Sequence, residues 1–181
     1  MWNTIPKFRK AGKKMTIQDL RRSEHVVYAS NGICFIEDVK KLSFIKGESE
    51  KTYYILRPLN DKNSTIYIPE DNELLLGKIR KIITKDEIDA IIREVKTTEI
   101  VWIEDRKQRS AHYRELLSAP HPAVLLPLMK SIATKKTELT ELGKKLAAVD
   151  RDTYEISLRF VKDEFAFALN RKEPDVIEYI T

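Results

Sequence analysis

The 181-residue sequence contains one cysteine, five glycines and three histidines, and it has no long apolar run. A single cysteine, Cys34, cannot form an internal disulfide, and its place in the apolar stretch 32–36 predicts a buried thiol in a reducing compartment. No stretch approaches the roughly 20 apolar residues of a membrane span, and residues 1–6 lack the apolar core of a signal peptide. We therefore expect a cytoplasmic protein without membrane association.

Sequence signatures of catalysis are also missing. The three histidines, His25, His112 and His121, lie far apart with no cysteine nearby, so no metal-binding pair at helical spacing exists. The stretch 143–145, Gly-Lys-Lys, lacks the second glycine of a phosphate loop and is interpreted as a helix-ending glycine followed by solvated lysines. The sequence predicts a protein that is not an enzyme, with no catalytic residue, metal or cofactor.

Charge gives a weak indication of the partner. The chain is 42% apolar and 34% charged, which is typical of a globular protein, and its formal net charge is +5. A basic balance favours a polyanion or an acidic protein as partner, although simple solubility explains it as well. The carboxylate pairs Glu104–Asp105 and Asp150–Asp152 are assigned to exposed faces and helix starts, where negative charge complements the helix dipole.

Short runs of β-branched and aromatic residues, separated by turn residues, fill the N-terminal part after a basic, aperiodic stretch at 1–14, which we expect to be a flexible arm. Turns are expected at 30–32, 46–48 and 60–63. So many short strands have to curl into a small barrel to hide their edges. Strands are predicted at 25–28, 33–39, 41–45, 52–58 and 64–68.

After Leu74 the apolar residues recur with helical spacing. Thr84 and Glu87 form a capping box, which predicts a helix start. Further helices are expected over about 104–117, from Leu125 to about Gly143, and from a cap at Asp150 or Asp152 to Leu169. Pro174 is expected in the first turn of a short final helix. The fold class is therefore α+β, a small β-barrel followed by an α-helical bundle, with a boundary somewhere in 70–84.

Several stretches resemble the CarD family of bacterial transcription regulators. Residues 24–34, Glu-His-Val-Val-Tyr-Ala-Ser-Asn-Gly-Ile-Cys, are similar to its opening Gly-Asp-x-Val-Val-Tyr, turn and Gly-Val, with Ser23–Glu24 in place of Gly-Asp. Residues 64–69 match a strand that ends in Val-Pro or Ile-Pro. The C-terminal half resembles the Gram-positive, clostridium-like branch through Trp102–Asp105, Arg109, Tyr113–Arg114, Gly143–Lys145, Asp150 and Glu164–Leu169.

The resemblance implies a Tudor-like RNA polymerase-interacting domain at 15–76, related to that of the transcription-repair coupling factor, and a helical DNA-binding domain at 77–181. In the family the barrel docks on the polymerase β subunit, and the helical domain contacts promoter DNA, with little sequence preference, at the upstream edge of the transcription bubble. The implied effect is on open promoter complexes. The alternative is a polymerase-binding adaptor that does not contact DNA. We expect a monomer.

The resemblance also assigns residues to each surface. The polymerase contact falls on Lys40, Lys41, Leu42 and Ser43, in the strand that resembles the family's contact strand, and on Tyr67, where other members often carry arginine. Edge-strand pairing would supply main-chain hydrogen bonds there. Ordinary exposed strand residues are the alternative.

DNA contact is assigned to cations of one predicted helix and of the loop after the next, and a solvated helix face is the alternative. Some family members insert a tryptophan wedge at the bubble edge. The corresponding residue here is Arg109. Trp102 is either a displaced wedge or a core residue, and its apolar neighbours Ile100, Val101 and Ile103 favour the core. The assigned residues are Trp102, Arg106, Lys107, Arg109, Arg114, Lys144 and Lys145.

Overall fold

The computed structural model describes residues 22–45, 49–98, 101–171 and 176–177. The described residues separate into two compact units, one that ends at Ile82 and one that begins at Ile83. The first unit holds an antiparallel sheet and the second holds helices, so the α+β class is confirmed. The expected arm at 1–14, the expected turn at 46–48 and Pro174 lie outside the described residues.

Within the described residues, the sheet unit contains five antiparallel strands in the order β4-β3-β2-β1-β5. A tight turn at 29–31 joins the first two strands, and Gly32 follows it with φ 71°, a value that favours glycine. The elements are β1 His25–Tyr28, β2 Ile33–Leu42, β3 Lys51–Pro58, β4 Ile66–Pro69, the short helix α1 Glu73–Leu76 and β5 Ile79–Arg80.

The sheet differs from its prediction in three ways. The expected strands 33–39 and 41–45 are one strand, β2, because a bulge between Ile36 and Asp38 bends the chain without breaking the pairing with β3. Strand β5 lies beyond the predicted boundary at 76 and was not predicted, since two residues are too few to show the alternation of apolar and polar residues that is typical of a strand. Among the described residues the edge strands β4 and β5 do not pair, so the sheet is open and the expected closed barrel is not observed.

One face of the sheet forms the core of this unit. Five of its side chains are essentially inaccessible to solvent: Val26, Cys34, Ile36, Leu56 and Ile68. They come from four adjacent strands and alternate with residues on the opposite face, as the pleat requires. Burying a side chain of this size contributes about 1.5 to 3 kcal/mol, so this layer stabilises the sheet.

The part of the helical unit that the structure describes contains four helices, and local signals start most of them. The predicted capping box is confirmed, because the Glu87 N–H donates to Thr84 Oγ1 at 3.3 Å and the Thr84 N–H donates to the Glu87 carboxylate at 2.7 Å. The Asp105 side chain caps α3 through the Gln108 N–H at 2.7 Å. Pro122 opens α4. The helices are α2 Lys85–Thr97, α3 Arg106–Ser118, α4 Pro122–Glu141 and α5 Ala148–Leu169.

The start of α5 was predicted wrongly. Its N-cap is Ala147, which offers no side-chain cap, whereas Asp150 lies inside the first turn and is only 1% exposed. The preceding helix ends close to its prediction, since Gly143 follows Glu141 and Leu142 with φ 67°. All four helices pack around one apolar core, whose fully buried members include Val95, Leu125, Leu126, Met129, Ile132, Val161 and Phe165.

Candidate interaction surfaces

The sheet unit exposes a cluster of aromatic side chains, Phe44, Tyr53 and Tyr67, which we call the aromatic patch. The Phe44 ring packs edge-on against Tyr53 at 5.1 Å and against Tyr67 at 5.2 Å between centroids. Phe44 is 61% exposed, Tyr67 is 43% exposed, and the neighbouring Ile45 is 58% exposed. Large apolar side chains that cluster in solvent mark an interaction surface.

The strand register explains why the patch is exposed. Tyr53 pairs with Lys40 and Pro69, and Tyr67 pairs with Ile55. Residues two apart on a strand share a face, so Tyr53 and Tyr67 lie on the side opposite the core. Tyr54 is one residue later, points the other way and is buried.

Charged groups flank the patch on the same face. The Asp38 carboxylate contacts Lys40 Nζ at 2.8 Å and Arg22 Nε at 3.4 Å and accepts the Val39 N–H at 2.9 Å. These contacts, the Lys40 hydrogen bond first, hold the pKa of Asp38 below its usual value against the opposing effect of burial. The lysine is therefore held beside the aromatic rings by a carboxylate that stays ionised.

Arg57 provides a second cation near Tyr67. It follows Ile55, the partner of Tyr67, by two positions and so lies diagonal to the tyrosine on the same face. Its guanidinium contacts the Glu37 carboxylate at 2.8 Å, and this hydrogen bond is the main reason that the pKa of Arg57 is raised. The patch thus combines apolar rings with two paired cations.

The structure separates the residues assigned to the polymerase contact. Lys40 and Tyr67 lie on the patch face, and by strand alternation so does the half-buried Leu42. Lys41 points to the other face. Ser43 lies beyond the end of β2, where its hydroxyl donates to the Ile45 carbonyl at 2.9 Å.

Sequence reasoning missed Phe44, Ile45 and Tyr53. The first two read as members of a buried strand, and nothing local indicates that the strand ends before them. The adjacent Tyr53 and Tyr54 did indicate an exposed aromatic residue. Successive residues of a strand point to opposite faces of the sheet, so only one of the two tyrosines can point into the core.

In the helical unit, most of the residues assigned to DNA are exposed cations. Lys107 and Arg114 are seven positions apart on α3 and therefore share one face, with Arg106 at the helix start. Lys144 and Lys145 follow Gly143 in the loop before α5. None of these five side chains forms an ion pair with a residue that the structure describes.

Arg109 is the exception, since it is 7% exposed and paired internally. Its Nε and Nη2 donate to the two Asp150 carboxylate oxygens at 2.8 and 3.1 Å, and its Nη1 donates to the carbonyls of Ile103 and Glu104 at 2.8 and 3.0 Å. The assignment of Arg109 to a DNA contact is thereby corrected, because these donors point into the protein. Its spacing of four and seven residues from Tyr113 and Leu116 was the sequence signal that it lies on the buried face.

Tyr113 completes this cluster. Its hydroxyl donates to Asp150 Oδ1 at 3.0 Å. Burial first, and then the Asp150 charge, raise the pKa of Tyr113, while the hydrogen bond to Asp150 raises the pKa of Arg109. The carboxylate therefore holds two donors that both keep their protons.

Trp102 packs at the edge of the same cluster. The Arg109 guanidinium carbon lies 4.5 Å from the centroid of its ring, and Lys135 Nζ lies 5.7 Å from it. The indole is half-buried against the helical core, which agrees with the interpretation of Trp102 as a core residue. Lys135 also contacts the Glu104 and Glu138 carboxylates at 3.4 and 3.1 Å.

No group of three or more histidine, cysteine, aspartate or glutamate side chains in the described part of the chain could hold a metal ion. No helix within the same part is both long enough and apolar enough to cross a bilayer.

Residues 20–83 match the family model of the CarD-like/TRCF RID domain. This is a family of non-catalytic domains with a Tudor-like fold that interact with RNA polymerase, which indicates a transcription-related protein. The match supports the CarD-like resemblance for the sheet unit, and the helical unit beyond Ile83 lies outside it. No curated protein matches the chain.

Proposed function

We propose that the protein is a bacterial transcription regulator that binds the RNA polymerase β subunit through its sheet unit and promoter DNA through its helical unit. Contact near the upstream edge of the transcription bubble would change the stability of the open complex. The observation that carries this proposal is the match of residues 20–83 to an RNA polymerase-interacting domain. We further propose that it acts as a monomer of the clostridium-like branch, in the cytoplasm at the nucleoid.

The chemistry of the sheet unit supports the polymerase contact. Aromatic anchors and arginine dominate the energetics of protein interfaces, and the aromatic patch offers three rings with Arg57 beside them. Among the described residues, no strand pairs with the outer side of β4 or with the free side of β2 at 40–42. A polymerase segment could add a strand at either edge while the patch provides specificity.

The exposed cations of the helical unit support a DNA contact of low sequence preference. Lysine and arginine side chains that form no ion pair with a described residue are available for phosphates, and each phosphate contact releases counterions. Such contacts position a protein on DNA and leave sequence readout to other elements. A regulator that is brought to promoters by polymerase does not need to recognise the DNA sequence itself.

Binding to polymerase is the first test. Wild-type protein should bind both the polymerase core and the isolated β subunit. Phe44→Ala and Tyr67→Ala should each weaken binding about tenfold or more, because truncating an interface anchor commonly costs more than 1 kcal/mol. Leu59→Ala is the matched control, since Leu59 is an exposed apolar residue just beyond the opposite end of β3 from Tyr53, and it should bind normally. Folded wild-type protein that fails to bind polymerase would refute the proposal.

Binding to fork-junction promoter DNA over a salt series is the second test. Lys144→Ala/Lys145→Ala should weaken binding and reduce the slope of log K against log salt by about 1.4 to 1.8, the value for two phosphate contacts. Arg159→Ala/Lys162→Ala removes the same charge from exposed positions of α5, about 16 to 21 Å beyond its start at the helical rise. This control should keep the wild-type slope.

The adaptor without DNA contact remains a second candidate because Arg109 is internal and the exposed acids Glu104 and Asp105 directly precede Arg106. An adaptor predicts that promoter DNA adds nothing to polymerase retention at any salt concentration. The two-contact regulator predicts extra retention that salt removes.

A further inference from the structure

We propose that Arg109 is a positioning residue for DNA binding. Its buried pair with Asp150 would hold two exposed basic clusters, Arg106–Lys107 and Lys144–Lys145, together as one phosphate-binding surface. This inference rests on the proposed DNA contact of the helical unit and adds which internal group shapes that contact.

The pair joins the beginnings of two helices. Arg109 is the fourth residue of α3 and Asp150 is the third residue of α5, and their side chains meet at 2.8 and 3.1 Å. Arg106 and Lys107 begin α3 in the turn that carries Arg109. Lys144 and Lys145 lie in the loop that leads into α5, six and five positions before Asp150, respectively. Each cluster is therefore attached to one side of the pair.

The surrounding contacts place other elements at the same end of the helical unit. Arg109 Nη1 binds the carbonyls of Ile103 and Glu104, which fixes the segment before α3. The Trp102 ring, from that segment, contacts both Arg109 and Lys135, and Lys135 belongs to the second half of α4. The Arg109 guanidinium thus joins the start of α3 to the start of α5, and the Trp102 ring links it to the second half of α4.

The charges explain why position matters. The carboxylates of Glu104 and Asp105 directly precede Arg106, so the first cluster alone carries little net charge. Four cations held in a fixed arrangement avoid the ordering cost that separate, mobile clusters would incur on binding. The guanidinium suits this role, because its planar fork satisfies a carboxylate and two carbonyls at once, whereas a lysine ammonium cannot reproduce that geometry.

The test compares a variant without the pair to a variant that is merely less stable. Arg109→Met/Asp150→Asn removes the pair without leaving a buried charge. Val161→Ala, in the core and away from the pair, is the control for lost stability. Binding to fork-junction DNA is measured over a salt series at a temperature where circular dichroism shows both variants folded. Arg109→Lys is measured in parallel. If the double variant does not fold, Arg109→Lys can still be compared with wild type.

We expect Arg109→Met/Asp150→Asn to bind DNA about tenfold more weakly than wild type. The slope of log K against log salt should be smaller by about 0.7 to 1.8, the value for one or two phosphate contacts. Arg109→Lys should fall between that variant and wild type, and Val161→Ala should keep the wild-type slope. Substituting Lys144 and Lys145 should also cost less affinity in Arg109→Met/Asp150→Asn than in wild type, because loss of the pair and loss of the lysines affect the same surface.

Wild-type slope and affinity in folded Arg109→Met/Asp150→Asn or folded Arg109→Lys would overturn the inference while leaving the proposed DNA contact intact. Wild-type protein that shows no salt-sensitive DNA binding would overturn both. Polymerase binding by the sheet unit serves as the common reference, and we expect it to be equal in all of these variants.

Discussion

The Arg109 guanidinium and the Asp150 carboxylate form a two-bond ion pair across 41 positions of sequence, with both side chains withdrawn from solvent. Removing two charges from water costs several kcal/mol each, and their attraction compensates only when the remaining hydrogen-bonding groups are satisfied. Here the carbonyls of Ile103 and Glu104 and the Tyr113 hydroxyl supply those bonds. The pair therefore depends on every member of the cluster.

The first prediction concerns removal of one partner. Arg109→Ala or Asp150→Ala should lower the free energy of unfolding of the helical unit by about 3 to 5 kcal/mol, because either change leaves an uncompensated buried charge. Urea unfolding would be followed by Trp102 fluorescence in a Trp2→Phe background, which leaves one tryptophan. The double variant should lose clearly less than the sum of the two single losses. Strict additivity would show that the two charges do not interact.

Local signals and long-range contacts explain what the sequence could predict in the helical unit. The capping box at Thr84 and Glu87 was predictable because its partners are three residues apart. The burial of Asp150 was not, because its partner is 41 residues away and an aspartate near a helix start reads as a cap. The spacing of Arg109 from Tyr113 indicated that it lies on the buried face of the helix. The neighbouring cations favoured an exposed basic face instead, so the burial of Arg109 was not predicted.

In the sheet unit, too, features that depend on contacts between residues far apart in sequence, such as strand pairing, could not be predicted. Short runs of β-branched and aromatic residues between turn residues predicted β1 and β3 well, whereas β5 exists only because Ile79 and Arg80 pair with β1. The aromatic patch depends on where β2 ends, and Phe44 and Ile45 look like a continuing strand. A face that binds a partner carries the same apolar residues as a face that forms a core, so sequence alone cannot separate the two.

The second prediction tests the capping box. Thr84→Ala should lower the free energy of unfolding of the helical unit by about 1 kcal/mol, because the Glu87 N–H loses its acceptor at the start of α2. Thr84→Ser keeps a hydroxyl and should stay within a few tenths of a kcal/mol of wild type. The same urea experiment measures both. Equal stability of the alanine and serine variants would mean that the cap contributes nothing.

The third prediction concerns the buried thiol. Burial raises the pKa of Cys34 from 9.0 to about 11. The folded sheet unit then holds the proton more tightly than the unfolded chain, so stability is present below pH 9 and is lost as the pH rises towards 11. At about 1.4 kcal/mol per unit, the loss should not exceed about 2 to 3 kcal/mol.

Cys34→Ala isolates this effect. Urea unfolding of wild type and variant at pH 8, 9 and 10, followed by circular dichroism, should show a stability difference that narrows as the pH rises. Burial first, and then the Cys34 charge, raise the pKa of Tyr28, so the comparison reports the thiol together with its effect on that tyrosine. A difference that is constant from pH 8 to 10 would mean that the thiol ionises as readily in the folded protein as in the unfolded chain.

The fourth prediction distinguishes a packed tryptophan from a DNA wedge. The Trp102 ring contacts both Arg109 and Lys135, and releasing it would break the contact at 4.5 Å with the guanidinium. We therefore expect Trp102 fluorescence in the Trp2→Phe background to stay nearly constant when fork-junction DNA is titrated to saturation. A wedge would stack on bases, and its emission would be strongly quenched. Arg109→Met/Asp150→Asn provides the comparison, since it loosens one side of the indole and should change the emission before any DNA is added.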